Sequence, residues 1–322
     1  MSSNNNNSYR VDVSKAVGFK FRPQPVVFTS RDLILYALSI GAKYPEELHF
    51  LYENTPNFAA FPTYPLVLGL KKDTHGISPY ASKNEEAIPG VPPFDPNRLV
   101  HGDQSLQVLR PLPLGGEFEL ETTVTGVYDK GKGMVIERTT DMVDPKEPKG
   151  SRKPYVSMKG SAYVRGYGGW DGPKGPKPEA FDPPKDKAPD ATYEDKTTDD
   201  IAVLYRLSGD YNPLHIDPAI APKVGFKQPI LHGLCTYGHA AHAVLKTIGN
   251  SDPNALKSIT GRFTAPVFPG DTLVTKMWKV PADSRDEEKI IFQVDAKERN
   301  QTVINGGCVV LWAKGKGPQS KL

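Results

Sequence analysis

The residues with the clearest capacity for chemistry lie in one short stretch, 205–215, which reads YRLSGDYNPLH. Gly209 introduces the carboxylate of Asp210, and the imidazole of His215 follows five residues after that acid. Between them, Asn212 and the proline after it are typical of a helix cap and a first-turn proline, so any helix here is at most one turn. The acid and the imidazole could then share one water molecule. A carboxylate and a histidine are the groups that move protons near neutral pH.

A second candidate group is the backbone amide of Gly233, at the start of a long predicted helix that ends near Ile248. The first amides of a helix are unpaired and carry partial positive charge, and glycine has no side chain to block approach. This amide could therefore bind the oxygen of a polarised carbonyl. Together with the shared water, it suits addition of water across a double bond conjugated to a carbonyl. It suits hydrolysis of an acyl ester almost as well.

Each of these residues also has a purely structural interpretation. Asp210 and Asn212 could satisfy turn amides, His215 could fill a core position, and Gly233 could simply allow close packing at a helix start. The neighbouring His232 is more typical of a structural histidine than of a catalyst. The three polar residues at this spacing, taken together, favour function.

The composition is that of an ordinary soluble chain. The 322 residues include 38% hydrophobic and 24% charged residues, and the net charge of +3 gives no indication of a nucleic-acid partner. Cys235 and Cys308 lie in apolar runs, without the spacing of a metal site or disulfide framework. No apolar run approaches the roughly 20 residues needed to span a bilayer.

The elements that must position the candidate residues occur twice along the chain. The first set is a capped helix near 29–41, a short apolar piece at 65–70, and strands at 99–109, 117–128, 134–143 and 155–164. The second set is a capped helix at 199–207, the helix at 233–248, and strands at 259–267, 272–280, 289–298 and 303–313. The local match of LYALS (35–39) with LYRLS (204–208) supports duplication. Each unit is predicted as an antiparallel sheet wrapped round a helix, an α+β fold.

The run from Tyr205 to Ala221 resembles, without a gap, the signature of the R-specific enoyl-CoA hydratases, the MaoC-like or hydratase 2 family. The resemblance spans 19–313 and implies a double hot-dog fold. It implies reversible hydration of trans-2-enoyl-CoA to (3R)-3-hydroxyacyl-CoA in peroxisomal fatty acid β-oxidation, without metal or redox cofactor. Asp210 and His215 would hold and activate the water, Asn212 would orient them, and the Gly233 N–H would form the oxyanion hole. Which of the pair is the base stays open.

Further positions match the family locally. The resemblance implies substrate contacts for His101 and Gly102, in the run HGDQ, and contacts with substrate or CoA for Lys130 and Phe263. A lysine in a hairpin turn is usually only solvated, however, and a phenylalanine on a strand is usually core. Two other functions compete: a hot-dog acyl-CoA thioesterase, and a non-catalytic acyl-CoA or lipid-binding module, which would need no acid–imidazole pair.

The first unit lacks the chemistry of the second. Where the second has Gly209 to His215, the first has GAKYPEE at 41–47, without an acid–imidazole pair. Its central helix shrinks to 65–70, which predicts space for a long acyl tail. The predicted boundaries are a disordered lead-in at 1–10, the acyl-accommodating domain at 11–167, a linker at 168–192, the catalytic domain at 193–314 and a flexible tail at 315–322.

The last three residues, Ser320, Lys321 and Leu322, match the tripeptide recognised by the peroxisomal import receptor. The sequence therefore predicts that receptor as a partner and the peroxisome as the location. The family resemblance adds an acyl-CoA thioester as substrate and a homodimer as the assembly.

Overall fold

The fold is described from a computed structural model that covers residues 10–74, 76–77, 86–95, 98–177, 179 and 181–317. Most of the predicted lead-in, 1–9, and the predicted targeting tripeptide, 320–322, lie outside these ranges.

The secondary structure within these ranges consists of short helices and longer strands. The helices are α1 Val13–Ala16, α2 Ser30–Ser39, α3 Leu48–Leu51, α4 Leu68–Lys71, α5 Ile201–Tyr205 and α6 Gly233–Thr247. The strands are β1 Gln24–Phe28, β2 Leu99–Val108, β3 Gly116–Asp129, β4 Gly133–Val143, β5 Val156–Arg165, β6 Ala191–Lys196, β7 Leu256–Phe263, β8 Thr272–Val280, β9 Glu287–Ala296 and β10 Gln301–Trp312. Short 3-10 turns cover Tyr64–Val67, Arg206–Ser208, Pro213–His215, Ala221–Val224 and Lys297–Arg299.

In the described part of the chain, all ten strands join one antiparallel sheet with the order β1-β3-β4-β5-β2-β7-β10-β9-β8-β6. Each half of the chain contributes five neighbouring strands in the same internal order, so the two halves have one topology and meet at β2 and β7. This is the predicted pair of tandem hot-dog units, and the α+β fold class is confirmed.

Most strands match their predicted bounds within about two residues, and two strands were missed. The strand expected at 259–267 is displaced: it begins at Leu256 and ends at Phe263, ahead of Pro266. The missed strands, β1 and β6, lie at the two edges of the sheet, and β6 begins within the predicted linker. Both are short, β1 contains Pro25, and β6 is largely polar, so neither has the apolar alternation of an internal strand.

Helix α6 forms the centre of the core, as its nearly all-round apolar sequence predicts. Every residue from 235 to 245 is buried. The hydroxyl of Tyr237 contacts the carbonyls of Gln104 (3.1 Å) and Ile259 (2.9 Å), on the two strands that meet between the halves. This helix therefore holds the seam of the sheet together from inside. No helix in the described ranges has the length and apolar character required to cross a membrane.

The first half has a much shorter counterpart of α6, as predicted: the 3-10 turn Tyr64–Val67 continues into the single-turn α4. The loop that carries Asp210 rests directly on this short helix. Gly209 has a φ of +126°, and a Cβ added to it would lie 2.6 Å from the Cα of Lys71. Gly41, its counterpart, has a φ of +97°, and a Cβ added to it would lie 2.4 Å from Oδ2 of Asp195 on β6 and 3.1 Å from Nδ1 of His239 on α6. Each half thus supports the other half's loop at a position that only glycine fits.

Candidate active site

A capped turn brings the acid and the imidazole of the 209–215 loop together. The backbone N–H of Asn212 donates to Asp210 Oδ1 (3.2 Å), and Asn212 Oδ1 accepts from the N–H of Leu214 (3.0 Å), which caps the turn ending at His215. Asp210 Oδ2 then lies 4.0 Å from His215 Nε2. This distance is too long for a direct hydrogen bond and leaves both groups able to bind one water.

The hydrogen bonds of His215 define which of its nitrogens faces the acid. Its Nδ1 lies 2.8 Å from the carbonyl oxygen of Ile230, which can only accept, so Nδ1 carries the proton in the neutral ring. The lone pair of Nε2 is then directed to the side of Asp210. Burial lowers the pKa of His215, and the nearby Asp210 charge opposes that shift. A neutral imidazole able to accept a proton is therefore favoured at neutral pH.

His232 supports this pair more directly than the sequence indicated. Its Nε2 donates to the carbonyl oxygen of Asp210 (3.1 Å), and its ring stacks on that of His215 with centroids 3.7 Å apart. Burial lowers the pKa of His232 to about 3, so the ring is neutral near pH 7. The sequence signal for this role was the position of His232 next to Gly233. The contact with Asp210 joins residues 22 positions apart, so no local sequence pattern predicts it.

Gly233 lies beside the pair because it follows His232 as the first residue of α6. Its N–H belongs to the first turn, whose amides have no partner within the helix. A Cβ added to Gly233 would lie 3.3 Å from Cε1 of Phe263, so the ring of that residue packs beside the start of the helix. The structure thus brings Phe263, at the end of β7, next to the residue whose N–H was predicted as the oxyanion donor.

His101 packs against the same aromatic ring, and Gly102 follows it on β2. The rings of His101 and Phe263 have centroids 4.9 Å apart, and His101 Nε2 donates to Gln104 Oε1 (3.1 Å). Burial lowers the pKa of His101, with a partial opposing effect from its hydrogen bond to Gln104. Gly102 occupies a β-bulge, where a Cβ would lie 2.8 Å from Ser161 Oγ. The start of β2 therefore borders the site from the first half of the chain.

Lys130 is the predicted residue that lies apart from this group. It occupies the turn between β3 and β4, where its ammonium is 5.6 Å from the centre of the Tyr128 ring and donates to the carbonyl of Lys174. The contacts recorded for its ammonium in the described residues are with Tyr128 and with the segment after β5, and not with the acid–imidazole pair.

The first-half loop forms structural ion pairs at the position where the second-half loop carries the candidate catalytic pair. In the alignment of 41–47 with 209–215, Pro45 matches Pro213, and Glu47 takes the place of His215. The Glu47 carboxylate, 2% exposed, binds three donors on or after α6: His242 Nε2 (2.9 Å), Lys246 Nζ (3.1 Å) and Ser251 Oγ (3.0 Å). This loop therefore ties the first half to α6.

One group of side chains has the donor types that a metal ion needs. It consists of Asp210, His215 and His232, whose ligand atoms all lie within 4.8 Å of one another. The two imidazole rings, however, are stacked at an interplanar angle of 30°. Their in-plane lone pairs therefore run nearly side by side and do not converge on one point, so the residues fit a metal poorly as placed.

The arrangement as a whole suits proton transfer to and from a water beside a stabilised carbonyl oxygen. Two proton-transfer groups flank one small space, and a free helix amide lies next to it. A cleft of about 230 Å³ borders His215, and Ile216, Pro229 and Pro269 are among its lining residues.

Two family models match the chain, one for each half. The MFE-2 hydratase 2 N-terminal domain matches residues 27–166, and the MaoC-like domain matches residues 180–301. The boundary between the matches falls in the stretch that connects β5 to β6.

Individual relatives are similar over nearly the whole chain. A probable enoyl-CoA hydratase 2 of Dictyostelium discoideum is 39% identical over 95% of this chain and 99% of its own length. The peroxisomal enoyl-CoA hydratase 2 of Arabidopsis thaliana is 35% identical over 87% of this chain and 89% of its own. The crystal structure of a MaoC-like dehydratase from Phytophthora capsici superposes with a TM-score of 0.84, at 38% identity over 95% of this chain and 99% of that one. The chain belongs to the MaoC-like hydratase 2 family.

Proposed function

We propose that the chain catalyses the reversible hydration of trans-2-enoyl-CoA to (3R)-3-hydroxyacyl-CoA in peroxisomal fatty acid β-oxidation. The observation that carries the proposal is the 4.0 Å gap between Asp210 and His215 beside the first amide of α6. The names of the relatives in Dictyostelium and Arabidopsis support the enoyl-CoA substrate.

In the proposed reaction, Asp210 and His215 hold one water between them. Proton removal from this water accompanies attack of its oxygen on C3, and a proton passes to C2 on the same face. Negative charge develops on the thioester oxygen, where the N–H of Gly233 stabilises it. Asn212 acts through the turn it caps, by keeping Asp210 and His215 on either side of the water. The two side chains exchange protons with one water and therefore titrate as a pair.

The two parts of the proposal, hydration and its stereochemistry, are tested by one incubation. A medium-chain trans-2-enoyl-CoA is expected to lose its conjugated-enoyl absorbance without release of free thiol, and chiral analysis should identify the (3R) product. Release of thiol would instead identify a thioesterase, and a (3S) product would contradict the stereochemistry.

The first half is proposed to house the acyl tail. Its central helix is reduced to the turn at 64–67 and α4, while its counterpart α6 has 15 residues, and the shorter helix covers less of the sheet against which an apolar chain could lie. Medium- and long-chain enoyl-CoA esters are expected to have higher kcat/KM values than crotonyl-CoA. Equal or lower values for the longer esters would contradict this assignment.

The peroxisomal location and the assembly are proposed on separate grounds. The tripeptide Ser320, Lys321 and Leu322 matches the import signal, and the Arabidopsis relative is named peroxisomal. Deletion of Leu322 is expected to leave a fluorescently tagged protein outside peroxisomes. The family resemblance suggests a homodimer, which sedimentation of the full chain would test.

A further inference from the structure

The loop that carries Asp210 is supported on two sides. On the side of α6, His232 donates to the carbonyl oxygen of Asp210. On the side of the first half, Gly209 lies against Lys71, the last residue of α4. A Cβ added to Gly209 would lie 2.6 Å from both the N and the Cα of Lys71, so the contact is between the two backbones. Gly209 immediately precedes Asp210, and the end of α4 therefore limits where the acid can lie.

Helix α4 cannot fix this position through its own hydrogen bonds. It has four residues, and a single turn is the unfavourable nucleus of a helix. The N–H of Lys72 donates to the carbonyl of Leu68 (2.8 Å), and the helix ends there because Lys72 has a φ of +61°. The position of α4 must therefore depend on contacts with its neighbours.

The side chain of Lys71 makes several of these contacts, although it is only 4% exposed. Its ammonium donates to the carbonyl oxygens of Val27 on β1 (2.7 Å) and Thr74 after α4 (2.7 Å). It also lies 3.7 Å from Oδ1 of Asp32 on α2. Burial lowers the pKa of Lys71, and the nearby Asp32 opposes that shift. One buried cation therefore joins the end of α4 to both β1 and α2, through hydrogen bonds of the stronger, charged kind.

A second contact holds the middle of the same helix. Gln24 on β1 donates from Nε2 to the carbonyl oxygen of Gly69 (3.0 Å). Without the ammonium of Lys71, this bond would still hold the middle of α4, while the end that touches Gly209 would be free to move. No residue lies between Lys71 and Gly209, so a shift of one is passed directly to the other.

We infer that Lys71, in the first half, is a positioning residue for the hydration reaction. It holds the end of α4 against Gly209 and thereby keeps Asp210 across one water from His215. The inference rests on the proposed function, because it assumes that this pair carries out the proton transfers. The 4.0 Å gap of the pair is sensitive to small shifts, since a misplacement of about 1 Å can lower a rate by about 10²-fold.

The first measurement is the hydration of crotonyl-CoA by Lys71→Met. Methionine is of similar length and apolar, and replacement of a buried charge by an apolar side chain is often tolerated, so the fold should persist. The kcat is expected to fall about tenfold with KM unchanged, because a group is displaced that acts only in the transition state. Lys72→Met is the matched control, since this neighbouring side chain is exposed, and it should keep both wild-type values. A wild-type kcat in Lys71→Met, or a change in KM alone, would overturn the inference.

The second measurement distinguishes a displaced acid from a general loss of stability or of charge. Burial lowers the pKa of His215, and the carboxylate of Asp210 opposes that shift. If Asp210 moves away in Lys71→Met, the pKa of His215 falls further, whereas loss of the lysine cation at fixed geometry would raise it. NMR of the ring protons is therefore expected to give a lower pKa in Lys71→Met than in Lys72→Met. An equal or higher value would contradict the inference.

Gln24→Ala decides the question if Lys71→Met does not fold. This variant removes the other attachment of α4 to β1, from a half-buried position on the edge strand, and leaves no unpaired charge. The kcat is expected to fall about three-fold, less than for the charged contact, because a neutral hydrogen bond is weaker. A wild-type kcat in this variant would then overturn the inference. A wild-type protein that hydrated no enoyl-CoA would refute the proposed function, whereas normal wild-type activity with unaffected variants would refute only the role of Lys71.

Discussion

Replacement of Asp210 by asparagine separates the chemistry of the site from its shape. Asparagine keeps an Oδ1 that accepts from the N–H of Asn212, so the turn that carries His215 should persist. What is lost is the charge and the proton acceptor. At the position of Oδ2 the new side chain presents an NH2 group, which can donate a hydrogen bond to the water but cannot accept a proton from it.

The expected loss follows from the role assigned to the acid. A positioned proton-transfer group contributes about 10²–10⁴-fold to rate, which corresponds to roughly 3–5 kcal/mol of activation free energy. Because Asp210 and His215 act on one water, their losses should not add. The double variant with His215→Asn is expected to be about as slow as either single variant, and not slower by the product of both effects.

The assay is hydration of crotonyl-CoA, followed by the loss of enoyl absorbance. Asp217→Asn is the matched control, since Asp217 Oδ1 accepts from an amide two residues ahead (2.8 Å), just as Asp210 does, in the same loop but outside the site. The control should retain wild-type activity. The reasoning would be refuted by an Asp210→Asn rate within tenfold of the wild type, or by a control that loses as much.

Two further predictions concern charge. In Asp210→Asn the pKa of His215, followed by NMR of its ring protons, should fall further below 6.5, because burial lowers it and the lost carboxylate was the opposing influence; an unchanged or higher pKa would contradict this. Glu47→Gln should reduce the free energy of unfolding at neutral pH by about 3 kcal/mol, measured by denaturant titration, with exposed Glu46→Gln as control. Burial raises the pKa of Glu47, but hydrogen bonds from His242 and Lys246 outweigh this effect and lower the pKa from 4.5 to about 2. The stabilisation by Glu47 is therefore complete above pH 4.5 and is lost as the pH falls towards 2. The difference between Glu47→Gln and wild type should therefore shrink in acid, and a constant difference would refute the assignment.

The sequence predicts the secondary structure well wherever a local residue pattern determines it. Alternating side chains specify β3 to β5, an all-round apolar run specifies the buried α6, and a cap with a proline specifies the turn before His215. The candidate site could be predicted for the same reason, because Asp210, Asn212 and His215 lie within six residues.

Features that depend on distant partners were not predictable from the sequence. The edge strands β1 and β6 are strands because β3 and β8 offer them backbone partners, not because of their own composition. His232 was assigned to structure alone, since its bond to Asp210 and its stacking on His215 exist only after the loop folds back on α6. Nor does the composition of the glycine- and proline-rich linker indicate that its amides at Gly169 and Trp170 donate to the buried carboxylate of Asp129, at the end of β3.

The replacement of His215 by Glu47 at the matching position has a consequence for how such a molecule can change over time. In an assembly of two identical units, any substitution in the loop occurs in both copies. A loop that is needed for catalysis therefore cannot take on a purely structural role. A single chain with two units removes that constraint, because each loop is encoded separately. If two identical units acquired Glu47 and the shortened helix, the candidate catalytic pair would be lost from both copies. The tandem chain instead keeps the candidate catalytic pair in its second half, while the first half carries Glu47.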